Sequence, residues 1–170
     1  MILITTDHGR SKEDGKDHGG QSERERTIWF VTNLENLNDH FFSGKASMVD
    51  IAPTISRYLD LDIPSTNSYE LDGIPLIGPL SFSDVKLEET ESEQSVTWNP
   101  LTKTGNLKIG IAESNNFNQT GQADSITWIK TVPISDGKFK LPPEISDKSF
   151  YKVVLEGEWN TGNVWKIDSK

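Results

Sequence analysis

The chain has 170 residues, enough for one domain or two small ones. Its 17 basic and 26 acidic residues leave a formal charge of −9, which excludes a duplex nucleic-acid clamp and argues against docking on an anionic membrane surface. Cysteine is absent, so disulfide frameworks and thiolate chemistry are excluded, and no apolar run approaches the roughly 20 residues needed to span a bilayer.

Hydrophobic residues make up 34%, but they are clustered, which predicts a folded chain with acidic, polar connecting segments. Residues 2–6, ILITT, are a short apolar β-branched run ending at a polar turn, and they predict a buried, central parallel strand. A chain that opens on such a strand is expected to be the rear part of a longer fold. Residues 9–26 are polar and Gly-rich and predict a long loop, of a length that is usually functional or disordered. Residues 27–32, TIWFVT, predict a second strand.

Asp50 is expected to start and cap a helix, with Pro53 tolerated in its first turn and Ile51, Ile55 and Leu59 forming its apolar stripe. Residues 71–80 predict a turn and a short extended piece. Residues 81–95 carry Asp84, Glu88, Glu89, Glu91 and Glu93 against Lys86 alone, and predict an acidic linker. Beyond it, about six short strands are expected around Val96–Trp98, Leu107–Ile111, Ile126–Val132, KFKL at 138–141, FYKVVLE at 150–156 and VWKI at 164–167. Turn signals such as Thr104-Gly105-Asn106 and Asp136-Gly137 separate them. This pattern predicts a small antiparallel β-sandwich with Trp98 and Trp128 in its core, and the change from βα to all-β predicts two domains.

Two of the three histidines sit in the same tripeptide, Asp7-His8-Gly9 and Asp17-His18-Gly19. The first follows the predicted strand, where open α/β sheets build their sites. Carboxylate oxygen and imidazole nitrogen together suit zinc rather than calcium. Local hydrogen bonding in a loop is the competing reading. Arg10, Arg24 and Arg26 lie close enough to these motifs to meet a phosphate, but pairing with neighbouring carboxylates such as Glu23 and Glu25 is the favoured reading. Asp17 is either a partner of His18 or a solvated carboxylate. His40 is expected to be packed or solvated, and Trp159 to be structural rather than a sugar-stacking platform.

The blocks ILITTDHGR, GKDHGGQSERERTIWFVTN, MVDIAPTISRYLDLDIP and LDGIPLIG, in this order and spacing, resemble the C-terminal part of the alkaline phosphatase superfamily. The nearest branch is the type I phosphodiesterase/nucleotide pyrophosphatase-like enzymes. The resemblance covers about residues 2–80. It implies an α/β fragment of an alkaline-phosphatase-like fold at 1–80, the acidic linker at 81–95, and an immunoglobulin-like or fibronectin-III-like sandwich at 96–170, similar to one appended to some bacterial secreted members. By the same resemblance Asp7 and His8 bind the metal beside the nucleophile, and His18 binds a second metal. Two such ions polarise phosphoryl oxygens and activate a Thr or Ser nucleophile.

In these enzymes the nucleophile and the other ligands lie upstream, so no catalytic nucleophile is expected in this chain. The implied function is the C-terminal part of a metal-dependent phosphoric ester hydrolase, of phosphodiesterase or phosphatase type, inactive alone. Its implied location is extracytoplasmic, periplasmic or secreted. Its partners would be a phosphate-ester substrate in the complete enzyme and a complementing N-terminal half. The alternative is a non-catalytic interaction module that binds through the sandwich.

Overall fold

A computed structural model describes residues 1–90 and 93–167. Strands β1 (Leu3–Thr5) and β2 (Phe30–Thr32) form a two-stranded ribbon. Between them lies the short helix α1 (Glu23–Arg26). After β2 come α2 (Asp39–Phe42), a single 3₁₀ turn over Met48–Asp50, α3 (Ile51–Tyr58) and α4 (Ser65–Ser68).

The ribbon corrects the first expectation. β1 runs antiparallel to β2, with Ile4 opposite Val31, rather than parallel inside a buried sheet. Leu3, Thr5, Phe30 and Thr32 are half-buried, whereas Ile2, Ile4 and Val31 are exposed. The β-branched run carries a strand's period, but only one of its faces is covered.

Helix α3 also departs from its predicted stripe. Pro53 and Thr54 are buried, while Leu59 is exposed. The helix packs through Thr54, whose hydroxyl donates to the Asp50 carbonyl at 2.6 Å and accepts from the Leu76 N–H at 2.9 Å. Asp50 does not cap α3 with its side chain. Its carboxylate is buried and accepts the N–H groups of Ser47 and Ile74, both at 2.8 Å. His40 Nε2 approaches the same carboxylate at 3.2 Å, so this histidine is packed. Residues 73–80 then run close beneath: a Cβ on Gly73 would lie 2.1 Å from the Val49 carbonyl oxygen, so only glycine fits there.

Seven further strands make two sheets over one core. They are β3 (Phe82–Glu89), β4 (Gln94–Pro100), β5 (Asn106–Ala112), β6 (Thr127–Pro133), β7 (Lys138–Lys140), β8 (Phe150–Glu156) and β9 (Thr161–Ile167). Helices α5 (Asn116–Thr120) and α6 (Pro143–Ser146) lie in the connections. One sheet has the order β3–β4–β7 and the other β6–β5–β8–β9, with all neighbours antiparallel. Phe82, Trp98, Leu107, Ile109, Tyr151 and Leu155 are among the residues that fill the space between them. The Trp98 indole N–H donates to the Ile134 carbonyl at 2.7 Å, which satisfies its polar atom inside the core.

Two expectations fail here for local reasons. The acidic segment expected as a linker is strand β3, whose first residue, Phe82, is 0% exposed (Glu91 falls outside the described residues). Apolar Phe82, Val85 and Leu87 anchor this strand while its charges stay at the rim. Trp128 is 41% exposed instead of buried. The β5–β6 register slips between Ile109 and Gly110, so Ile129 is an extra residue that turns toward the core. That bulge moves Trp128 to the outer face, over Gly110.

The outer face of the four-stranded sheet is covered by the chain around α4. Tyr69 meets Trp128 edge-on at 5.6 Å and its hydroxyl donates to Glu156. The Thr161 hydroxyl donates to the Ser68 carbonyl at 2.8 Å, and the Asn163 amide to the Leu71 carbonyl at 3.0 Å. Arg57 of α3 donates to the carbonyls of Ile77, Pro79 and Trp159.

Phe82→Ala is expected to destabilise the protein by about 3–5 kcal/mol and Leu59→Ala by under about 0.5 kcal/mol in urea unfolding. Similar small effects from both would mean that residues 81–89 are a dispensable linker. Burial and the Glu156 carboxylate push the Tyr69 hydroxyl up from 10.0 to about 12. Its folded value is raised, so its contribution is whole below the unfolded value and is lost as pH climbs from about 10 to about 12. An absorbance titration should therefore show a late tyrosinate step that Tyr69→Phe removes.

Candidate metal centre

Asp7, His8 and Gly9 leave the end of β1 and enter the long loop. The Gly9 N–H donates to the Glu25 carbonyl at 2.7 Å, tying the start of the loop to α1. A Cβ on Gly9 would lie 1.9 Å from the Arg24 carbonyl oxygen, so this close approach requires glycine. Ser22 caps α1, accepting from the Glu25 N–H. The Glu25 carboxylate accepts from the Ser22 hydroxyl and from the Gly20 N–H at 3.0 Å, and these bonds hold it below the usual carboxylate range. Both ends of the loop are thus fastened to one short helix.

That fastening brings the two histidines together. Their rings are stacked with centroids 4.4 Å apart and planes within 3°. Imidazole lone pairs lie in the ring plane, so two parallel stacked rings cannot aim at one ion. A shared ion is excluded in this arrangement, and two separate ions would be needed.

The tautomers follow from the partners. His8 Nδ1 lies 2.6 Å from the Gly9 carbonyl oxygen, which can only accept, so Nδ1 carries a proton. His8 Nε2 faces Asp7 Oδ2 at 3.4 Å. An imidazole lone pair and a carboxylate oxygen at this distance repel unless a cation lies between them, either a proton on Nε2 or a metal ion. A carbonyl holding the other ring nitrogen is also the usual support of a metal-ligating histidine. The pair is accessible, with the Asp7 side chain 82% exposed and His8 30%.

His18 is placed differently. Arg10 Nη1, which can only donate, lies 3.4 Å from His18 Nδ1 and 2.7 Å from the Lys16 carbonyl oxygen. His18 therefore presents one nitrogen to a guanidinium, and ligation through that nitrogen requires Arg10 to move. Arg10 donates to a backbone carbonyl, in place of the carboxylate pairing expected from sequence. The Asp17 N–H donates to Asp14 Oδ1 at 3.0 Å, and the Asp17 carbonyl accepts from the Ser11 N–H at 2.8 Å.

Two clefts open on this constellation. One, of about 750 Å³, is lined by Thr6, Asp7, His8, Arg10, Arg24 and Trp29. The other, of about 330 Å³, runs past Asp7, His8, His18 and the Gly19-Gly20 turn. Sequence reasoning passed over Thr6, whose buried hydroxyl lacks a hydrogen-bond partner among the described residues. Its position directly before Asp7 was the available signal. Among the described residues no group of three or more His, Asp or Glu side chains is arranged to hold one ion. The Asp7–His8 pair therefore fits a divalent cation as two of its ligands, whereas His18 can serve only a separate ion, through Nε2 unless Arg10 moves.

Trp159 lines a third cleft, of about 420 Å³, between α3 and the β8–β9 turn. Its N–H donates to Ser81 Oγ at 3.0 Å and its carbonyl accepts from Arg57, so its backbone serves the turn. No helix among the described residues is long and apolar enough to cross a membrane. Compared with known proteins, the chain matches no family model, no curated protein and no solved structure.

Gly9→Ala is expected to detach the loop from α1 and to abolish the His8–His18 ring contact, read as loss of the cross-peaks between their ring protons. Retention of those cross-peaks would show that the loop holds its shape without the Gly9–Glu25 bond.

Proposed function

We propose that this chain carries part of the site of a metal-dependent phosphoric ester hydrolase, of phosphodiesterase or phosphatase type. One observation carries the reading. Asp7 and His8 present a carboxylate oxygen and an imidazole nitrogen to a common point, with the other imidazole nitrogen fixed on the Gly9 carbonyl. The ordered resemblance of residues 2–80 to the alkaline phosphatase superfamily supplies the reaction class. A divalent ion held there would supply a Lewis acid for a phosphoryl oxygen. The Gly9 carbonyl orients His8, the tie to α1 holds the loop, and the arginines at the cleft supply positive charge for a phosphate. His18 joins as a ligand of a second ion, through Nε2 as placed or through Nδ1 once Arg10 releases it, and Arg10 is in the second case free to meet the phosphate.

Three donors divided between two ions fall short of the four that zinc takes in each. The chain by itself is therefore expected to bind metal weakly and to turn over no substrate. Calorimetric titration with zinc should show binding that His8→Ala and Asp7→Asn each reduce by at least about tenfold. Binding that survives both changes would remove the reading. Steady hydrolysis of a nitrophenyl phosphate ester by the purified chain with zinc would overturn the expectation of inactivity.

A further inference from the structure

The outer face of the four-stranded sheet holds a buried cluster that the metal site does not use. Lys152 lies in the middle of β8, between Ala112 of β5 and Trp165 of β9. Its side chain is 0% exposed, as is that of Asp124, and Asp124 Oδ2 lies 2.9 Å from Nζ. The Glu70 carboxylate, from the covering segment, hydrogen-bonds the same Nζ and is 7% exposed. The indole of Trp165 lies 4.7 Å from Nζ and closes another side. The other carboxylate oxygen of Asp124, Oδ1, accepts from the Asn116 N–H at 2.7 Å and from the Ser114 hydroxyl at 2.9 Å.

As an ion cluster this arrangement is poorly balanced. One ammonium and two carboxylates leave a net negative charge in a dry site, where each ion carries a desolvation penalty of several kcal/mol. As a reaction centre its parts have distinct uses. An amine nucleophile sits against a carboxyl group. A second carboxylate touches the amine. Two donors grip the oxygen on which charge develops when the carboxyl carbon is attacked.

We propose that Lys152 and Asp124 become joined by an intramolecular isopeptide bond, formed without any other protein, with Glu70 carrying the protons. Glu70 takes a proton from the Lys152 ammonium. The neutral Nζ attacks Asp124 Cγ, and a C–N bond forms. Negative charge develops on Oδ1, where the Asn116 N–H and the Ser114 hydroxyl stabilise it. Oδ2 receives two protons, the first returned by Glu70 and the second from Nζ by way of Glu70. The Cγ–Oδ2 bond then breaks and water leaves. The three ammonium hydrogens are accounted for: one stays on the amide and two depart with Oδ2. No oxidant, reductant or activated co-reactant is required. Contact between buried reactants replaces a bimolecular encounter, and a dry site keeps water from reversing the step. The product removes one positive and one negative charge from the interior, leaving Glu70 beside a neutral amide.

The test is the intact mass of the purified full chain under denaturing conditions. The expected value is the sequence mass less one water, with a digest yielding a branched peptide that joins Asp124 to Lys152. Lys152→Arg should restore the full mass. Glu70→Gln, checked for native secondary structure by circular dichroism, should restore it too. A wild-type chain at its full sequence mass shows an ordinary ion cluster and overturns the proposal. So does a missing water that maps elsewhere, such as to a cyclised Asp72-Gly73 or Asp136-Gly137 pair. A Glu70→Gln chain that is still one water light overturns the role of Glu70. The readout is independent of metal binding and of hydrolysis, so it stands or falls apart from the hydrolase reading.

Discussion

The buried amine of Lys152 sets the arrangement of the rest. A lysine in the centre of a sheet is tolerated only when its polar end finds partners there. Glu70 arrives from the segment after α4 and Asp124 from the segment before β6, so both pieces are drawn onto the outer face. Once Glu70 is fixed, its neighbours fall into register along β8 and β9. Tyr69 reaches Glu156, the Ser68 carbonyl takes the Thr161 hydroxyl, and the Leu71 carbonyl takes the Asn163 amide. Val154, on the same face as Lys152, becomes fully buried as a result. The sheet is thereby covered on both faces, by the core on one side and the α4 segment on the other.

From this anchor, order passes backward along the chain. Residues 73–80 leave the covered sheet and run under α3, where Asp50 collects the Ile74 and Ser47 N–H groups and the His40 ring. Asn38 donates to the Pro75 and Gly78 carbonyls, which carries the connection to α2. Lys45 pairs with Asp84 at 2.8 Å, and hydrogen bonding to that ammonium holds the Asp84 carboxyl below its usual range. Asp84 itself adopts a left-handed backbone, φ 56°, at the irregularity in β3 that turns it toward Lys45. The loop with Asp7, His8 and His18 lies at the far end of this chain of contacts and is held mainly by its own bonds.

What was legible in the sequence follows from how local each cause is. Strands β4, β5, β8 and β9 show as alternating or continuous apolar runs, and the turn at Gly137 shows because its backbone, φ 65°, favours glycine. Strand β3 was hidden because its acidic composition outweighed three apolar residues, Phe82, Val85 and Leu87, that anchor it on the core. Trp128 was misplaced because a single-residue bulge reverses which face a side chain takes, and nothing nearby in the sequence announces it. The Asp7–His8 contact is a matter of adjacency and could be read directly. The stacking of His8 on His18 depends on Gly9 closing on α1, and Lys152, Asp124 and Glu70 meet only through tertiary packing. One sign of the last was available: FYKVVLE is nearly continuous rather than strictly alternating, as a strand covered on both faces reads.

The contrast between the two clusters bears on what each can do. Lys152 and Asp124 are held by a sheet with a filled core beneath it, so their geometry is fixed before any chemistry. Asp7, His8 and His18 extend from a two-stranded ribbon, which alone is marginally stable in water. On the proposed metal reading, a ligand set on such a support is not fully preorganised, and part of the ion's binding energy would go into ordering the loop. Affinity is then reduced by the fraction of time the loop is competent. Strengthening the ribbon, by covering the exposed Ile2, Ile4 and Val31, would raise that fraction without touching a proposed ligand. On the proposed metal reading the same argument makes Gly9 a determinant of metal affinity, although it has no side chain to offer a donor atom.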